Sequence, residues 1–267
     1  MIYRLTVHRS LTLNGISPRL WVTRTIRNAS APVNRLPPEI LSRILECRTA
    51  ERVLVIATHV CRHCRCALIS SPSLWTSFES KSSHPDRALT YLTRSKSVPI
   101  DTRADLDSPR DLEVFGYLTP HIARTRSLII QGNHTEVCAA SLLRTSSPIL
   151  QHLEIRARSS VARLPDDFLG RHAPSLRFVT FDGIHPALEP HFPLPSLIEF
   201  SISLPKGAGP FRVGALFRLL SGCPWLQKIQ INSEEPSQGI TLGQIISLES
   251  LVDRFTGAVR LAEFFPA

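Results

Sequence analysis

Between residues 36 and 75 the apolar positions fall at helical spacing. Ile40, Leu41, Ile44 and Leu45 recur at i, i+1, i+4 and i+5, one face of an α-helix. Pro37, Pro38 and Glu39 suit a first helical turn, where a missing N–H costs nothing and a carboxylate meets the positive end of the helix. Val53, Ala57, Val60 or Cys61, Cys64 and Leu68 form a second stripe, with Thr49 as its cap and Glu51 in its first turn. Ser71-Pro72 stops that helix, because the residue before a proline avoids the α region, and Ser73-Leu74-Trp75 opens a short third one. Three helices in about forty residues carry more apolar surface than they can bury among themselves. The pattern therefore predicts a docking module that a partner completes.

Beyond Trp75 the period changes from helical to alternating. Leu150-Gln-His-Leu153-Glu-Ile155, Leu176-Arg-Phe-Val179-Thr-Phe181, Leu197-Ile-Glu-Phe200-Ser-Ile202 and Leu226-Gln-Lys-Ile229-Gln-Ile231 share the form L-x-x-φ-x-φ, with φ apolar; Thr125–Ile130 is a weaker copy. Their starts at 150, 176, 197 and 226 lie 26, 21 and 29 residues apart, and a proline stands two residues before each (148, 174, 195, 224). The φ-x-φ ending is that of a strand with one buried face. Segments 136–145, 166–172 and 213–221 between the strands read as helical or irregular. Segments 85–95 and 109–122 read as helices, with a strand at 98–104 between them, and 242–251 as a helix or further strand. One strand and one return per unit predicts an α/β protein in which neighbours stack, since no unit can bury its own apolar face.

The first forty-residue stretch resembles the F-box, in the form common in fungal F-box proteins. The resemblance rests on Leu36-Pro-Pro-Glu-x-Leu41-x-x-Ile44, Val60-Cys61-Arg62-x-x-Arg65 and Ser71-Pro72-Ser73-Leu74-Trp75, three pieces in the family's order. Cys64 stands where family members often carry tryptophan. The resemblance implies docking to a Skp-type adaptor, and through it to cullin, in a ubiquitin ligase complex that directs protein degradation. The adaptor-facing set by position is Leu36, Pro37, Pro38, Ile40, Leu41, Ile44 and Leu45, helped by Val60, Leu68, Leu74 and Trp75. The alternating segments are similar to leucine-rich repeats, although the asparagine ladder of regular repeats is absent. That likeness implies an irregular solenoid whose parallel strands line a concave face. On the alternation its outward positions are His152, Glu154 and Arg156; Phe178, Thr180 and Asp182; Glu199, Ser201 and Ser203; Lys228, Gln230 and Asn232. These are the expected contacts to a protein substrate of unknown identity. The expected division is a disordered basic leader at 1–35, the F-box at 36–78, repeats at 79–233, and an irregular tail or incomplete last repeat at 234–267.

Charge refines the picture. The chain of 267 residues has a formal net charge of +9, but residues 1–38 hold six arginines and no acid, leaving 9 − 6 = +3 for the rest. The basic character describes the leader, and no nucleic-acid-binding body is expected. Gly15 and Pro18 interrupt any presequence-like helix in that leader. No run approaches the ~18 apolar residues of a membrane span. Four of the six cysteines (47, 61, 64, 66, 138, 223) lie in or beside the docking helices, which predicts reduced thiols in a cytoplasmic or nuclear protein. Cys61-x-x-Cys64 has ligand-like spacing but lacks a second pair, so core thiols are expected and a metal is not. No phosphate loop or nucleophile elbow occurs, and Asp166-Asp167 reads as a helix start. No cofactor and no catalysis are expected. Two other classes fit the same residues: a non-ligase F-box scaffold or protein-interaction repeat protein, and a nucleic-acid-binding protein using the leader.

Overall fold

The structure is a computed structural model and describes residues 30–46, 51–80, 85–108, 111–133, 144–158, 162–163, 168–185, 194–204, 222–233 and 245–247. The chain divides into two compact units at Ser70/Ser71.

In the first unit a short 3-10 turn, Pro32–Arg35, leads into α1 (Pro38–Glu46), α2 (Glu51–Val60) and α3 (Arg62–Ile69), with α3 packed on both others. Pro37 and Pro38 start α1 as their chemistry requires: the Pro37 carbonyl accepts from both Ile40 and Leu41. The expected second helix is broken in two. Cys61 has extended backbone (φ −153°, ψ 169°) and its sulfur accepts the Cys64 N–H, so it ends α2 and caps α3. Arg65 ties the break by donating Nε–H to the Thr58 carbonyl at 2.8 Å. The expected leader also ends early. Residues 31–35 are held against α3 by Asn34, whose Oδ1 lies 3.2 Å from the Cys61 sulfur, while the His63 ring bonds the Leu36 carbonyl. Residues 1–29 lie outside the described part.

The second unit opens on the 3-10 turn Pro72–Trp75, where the sequence predicts a third docking helix. Its strands are β1 (Ser77–Ser80), β2 (Ile100–Leu106), β3 (Thr125–Gly132), β4 (His152–Ala157), β5 (Ala162–Arg163), β6 (Phe178–Asp182), β7 (Ile184–His185), β8 (Glu199–Leu204), β9 (Lys228–Ser233) and β10 (Ile245–Ser247). One sheet runs in the order β1-β2-β3-β4-β6-β8-β9-β10, and β5 pairs with β7 apart from it. The first seven strands of that sheet are parallel and β10 is antiparallel to β9, so 245–247 is a strand. Two helices, α4 (Pro85–Arg94) and α5 (Asp111–Leu118), connect β1 to β2 and β2 to β3. The fold is thus α/β with neighbouring strands successive in the chain, as the alternating units predict.

Register carries the repeat into three dimensions. Leu128, Leu153, Val179, Phe200 and Ile229 form one row across the sheet, and Ile130, Ile155, Phe181, Ile202 and Ile231 the next. Every one of these ten side chains is buried. The prolines have a defined role: Ser147, Ala173, Leu194 and Cys223 each accept the N–H of the repeat leucine three residues on, at 3.2–3.3 Å. Proline is therefore the second residue of a β-turn four times over, the place its fixed φ favours. The backbone continues the pattern: Gln151, Arg177, Ile198 and Gln227 each donate an N–H at 2.8 Å to the unit before.

Residues 168–172, within the segment expected to be helical or irregular, form a left-handed turn, with φ of 53°, 55° and 56° at Leu169, Gly170 and Arg171. The carboxylate pair Asp166-Asp167, segment 213–221, most of 136–145 and the flanks of 242–251 lie outside the described residues.

Gly132 closes β3 at φ +134°, and a Cβ there would stand 2.5 Å from the Leu106 carbonyl carbon and oxygen on β2. Neighbouring backbone cannot yield as a flexible side chain can. Gly132→Ala is therefore expected to lower the unfolding free energy by about 2–3 kcal/mol, read as a shifted urea midpoint at unchanged slope.

Candidate functional site

Two surfaces stand out, one on each unit. On the sheet, side chains opposite the buried rows face outward and form a second set of rows. Ser127, His152, Phe178, Glu199 and Lys228 are in register, followed by Ile129, Glu154, Thr180, Ser201 and Gln230. An open cleft of about 640 Å³ lies over this face. Of the expected contacts, His152, Phe178, Thr180, Glu199, Ser201, Lys228 and Gln230 line it. Glu154, Arg156, Asp182, Ser203 and Asn232 are on the same strands but do not line it; Arg156, Asp182 and Asn232 are exposed and Glu154 and Ser203 are half-buried.

The cleft also contains side chains outside the expected set, among them Asp101, Arg126, Ser127 and Gln151. Arg126 escapes strict alternation because of a β-bulge. The register passes from Ile100↔Thr125 to Asp101↔Ser127, which leaves Arg126 as the extra residue, and it is turned outward and exposed. Asp101 precedes the copies of the L-x-x-φ-x-φ form, and Ser127 lies in the weakest of them, Thr125–Ile130, so the repeat form does not single them out. Gln151 occupies the first x of its copy, immediately before the strand.

The face is charge-paired within itself. Arg126 forms a bidentate pair with Asp101, and the bond and charge of Asp101 hold the Arg126 guanidinium above its ordinary range. Arg156 meets Glu154 at 2.7 Å and Lys228 meets Glu199 at 3.4 Å. The Lys228–Glu199 pair is exposed at both ends, and such pairs are worth about 0–1 kcal/mol. Between these pairs lies an aromatic contact: His152 stands edge-on to Phe178 at 6.3 Å, with its Nδ1 3.2 Å from Ser127 Oγ. Phe178 is the apolar anchor of the face, 37% exposed.

The first unit exposes a different surface. Ile40 and Ile44 on α1 are 43% and 49% exposed, and Val53, Ile56 and Val60 form an exposed stripe along α2 at i, i+3 and i+7. Pro37 and Pro38 are exposed, and Leu36 and Leu45 half-buried. Four members of the expected docking set do not belong to this surface. Leu41 and Leu68 are buried in the chain's own core, and Trp75 is buried in the second unit against Tyr91, with ring centroids 5.0 Å apart. Leu74 belongs to that second unit too. The i, i+1, i+4, i+5 pattern spans more than one side of α1: at 100° per residue Leu41 turns inward while Ile40 and Ile44 stay at the surface.

Cys61 and Cys64 do not behave as a pair of core thiols either. Cys64 is buried, but Cys61 is partly exposed at the cap of α3. Burial pushes the Cys223 thiol up to about 11. Among the described residues no three of His, Cys, Asp or Glu are placed to hold a metal ion, and no helix is long and apolar enough to cross a membrane.

The geometry so far defines an α/β protein with a seven-stranded parallel sheet and a separate helical unit rich in exposed aliphatic side chains. No protein-family model matches the chain, and no curated protein does.

Proposed function

We propose that the chain is a substrate receptor of a Skp-cullin-F-box ubiquitin ligase. The first unit is its F-box and docks a Skp-type adaptor through Ile40 and Ile44 of α1, helped by the exposed Pro37, Pro38 and Val60. The second unit is an irregular leucine-rich-repeat-like solenoid, and its outward sheet face, centred on Phe178 and His152, takes a target protein. Such a receptor works in the cytoplasm or nucleus, where adaptor and cullin meet, and has no catalysis of its own. The observation that carries the reading is the first unit's exposed aliphatic surface. A unit of about forty residues that leaves Val33, Ile40, Ile44, Val53, Val55, Ile56, Val60 and Ile69 exposed has a surface suited to a protein partner.

The test is capture of purified adaptor, with and without cullin, by the full chain and by Ile40→Asp/Ile44→Asp. Two apolar anchors of about 2 kcal/mol each make the expected loss about a thousandfold in affinity. Unchanged capture by the double variant removes the proposal. Adaptor retained without cullin makes the chain a non-ligase scaffold.

A further inference from the structure

Two thiols three residues apart meet at the start of α3 in an arrangement suited to chemistry. Cys61 stands outside the helix, and its sulfur accepts the Cys64 N–H at 3.3 Å. Both thiols lie near one acceptor, the Asn34 Oδ1, at 3.2 Å from Cys61 and 3.8 Å from Cys64. An extended cap followed by one helical turn brings residues i and i+3 to a separation that a disulfide spans. Solvent reaches one member of the pair and not the other, since Cys61 is partly exposed and Cys64 buried. We propose that Cys61 and Cys64 form a reversible dithiol–disulfide site, with Cys61 as the attacking thiol, Cys64 as the resolving thiol and a glutathione-type small-molecule disulfide as oxidant.

The exchange runs in two balanced steps. The Cys61 thiolate attacks one sulfur of the small disulfide; a Cys61–glutathione S–S bond forms, the original S–S bond breaks, and the first glutathione thiolate leaves and takes up the proton Cys61 lost. The Cys64 thiolate then attacks the Cys61 sulfur. The Cys61–Cys64 bond forms, the mixed disulfide breaks, and the second glutathione leaves as a thiol with the Cys64 proton. Two protein thiols lose two electrons and one small disulfide becomes two thiols.

The local fields support this division of labour. Burial alone would raise the Cys61 thiol, but bonds from the Cys64 and His63 N–H groups and the Cys64 thiol outweigh it, and the thiol sits below its ordinary 9.0. Cys64 is pushed up to about 11, first by burial and then by the bond to Cys61 and its charge. The last two influences vanish once Cys61 enters a mixed disulfide, so the resolving thiol is released when it is needed. Closing the disulfide also withdraws both thiols from Asn34, the tether of the Pro32–Arg35 turn.

The test does not depend on the docking proposal. Full-length protein is held in glutathione buffers of rising oxidised fraction, acid-quenched, alkylated and mapped by tryptic mass. Cleavage after Arg62 and Arg65 puts Cys61, Cys64 and Cys66 on three separate peptides. The expected result is a linked Cys61–Cys64 peptide pair, reversed by excess reduced glutathione. Cys64→Ser should stop at a Cys61–glutathione adduct, formed at least about tenfold faster than the adduct at exposed Cys66, and Cys61→Ser should give no linked pair. A link through Cys66, no internal link, or equal adduct rates at Cys61 and Cys66 would overturn the proposal. Mapping of the unaltered chain alone decides this should either variant fail to fold.

Discussion

Trp75→Ala is expected to lower the unfolding free energy of the second unit by about 3–5 kcal/mol, the range for deleting a large buried aromatic. The indole is 1% exposed. Tyr91 meets it edge-on at 5.0 Å, and Phe78 packs on the same Tyr91 at 5.5 Å. The Arg94 guanidinium carbon stands 4.3 Å from the indole centroid, close enough for a cation–π contact. Alanine would leave a void beside the Tyr91 ring, which Phe78 of β1 packs against from its own side. Trp75→Phe keeps an aromatic edge for Tyr91 and should cost about 1–2 kcal/mol. Urea unfolding followed by Tyr and Trp fluorescence separates the two. An unmoved midpoint for alanine would take Trp75 out of the core and return it to the docking surface where the sequence pattern places it. Adaptor capture by Trp75→Phe should match that of the unaltered chain.

The alternating half of the fold was legible in the sequence because period 2 has one structural meaning. Leu153/Ile155, Val179/Phe181, Phe200/Ile202 and Ile229/Ile231 all point inward, and the intervening residues outward, once a strand forms. The same rule failed at Arg126, where a bulge adds one residue and reverses the side chain's direction. The helical half was less legible because period 3.6 gives a stripe without saying how much of it is covered. Ile40 and Leu41 are equivalent in the pattern, yet packing of α3 on α1 leaves one exposed and buries the other. The break at Cys61 was hidden for a related reason: cysteine fits an apolar stripe and also, through its sulfur, caps a helix. The left-handed turn at Leu169 had no sequence signal beyond Gly170, since leucine rarely adopts positive φ.

This distinction between covered and uncovered positions on α1 gives the second large effect. Leu41→Asp is expected to destabilise the first unit by at least about 3 kcal/mol, because it deletes a buried aliphatic side chain and puts a carboxylate in its place. Leu41 is 6% exposed, on a helix held by α3. A unit of this size holds only about 3–5 kcal/mol in total, so the substitution should melt α1 to α3, seen as lost far-UV helical signal and rapid proteolysis between residues 38 and 69. Ile40→Asp/Ile44→Asp adds two charges one helical turn apart on the exposed side, where surface changes stay within about 0.5 kcal/mol each. That variant should keep its helical signal and its resistance to protease. Two acidic variants of α1 thus separate folding from docking: Leu41→Asp loses adaptor capture by unfolding, whereas Ile40→Asp/Ile44→Asp loses it while folded. If Leu41→Asp stays folded and still captures adaptor, Leu41 is not part of the core; if the exposed pair melts instead, that side of α1 is covered by the chain itself and offers no surface to a partner.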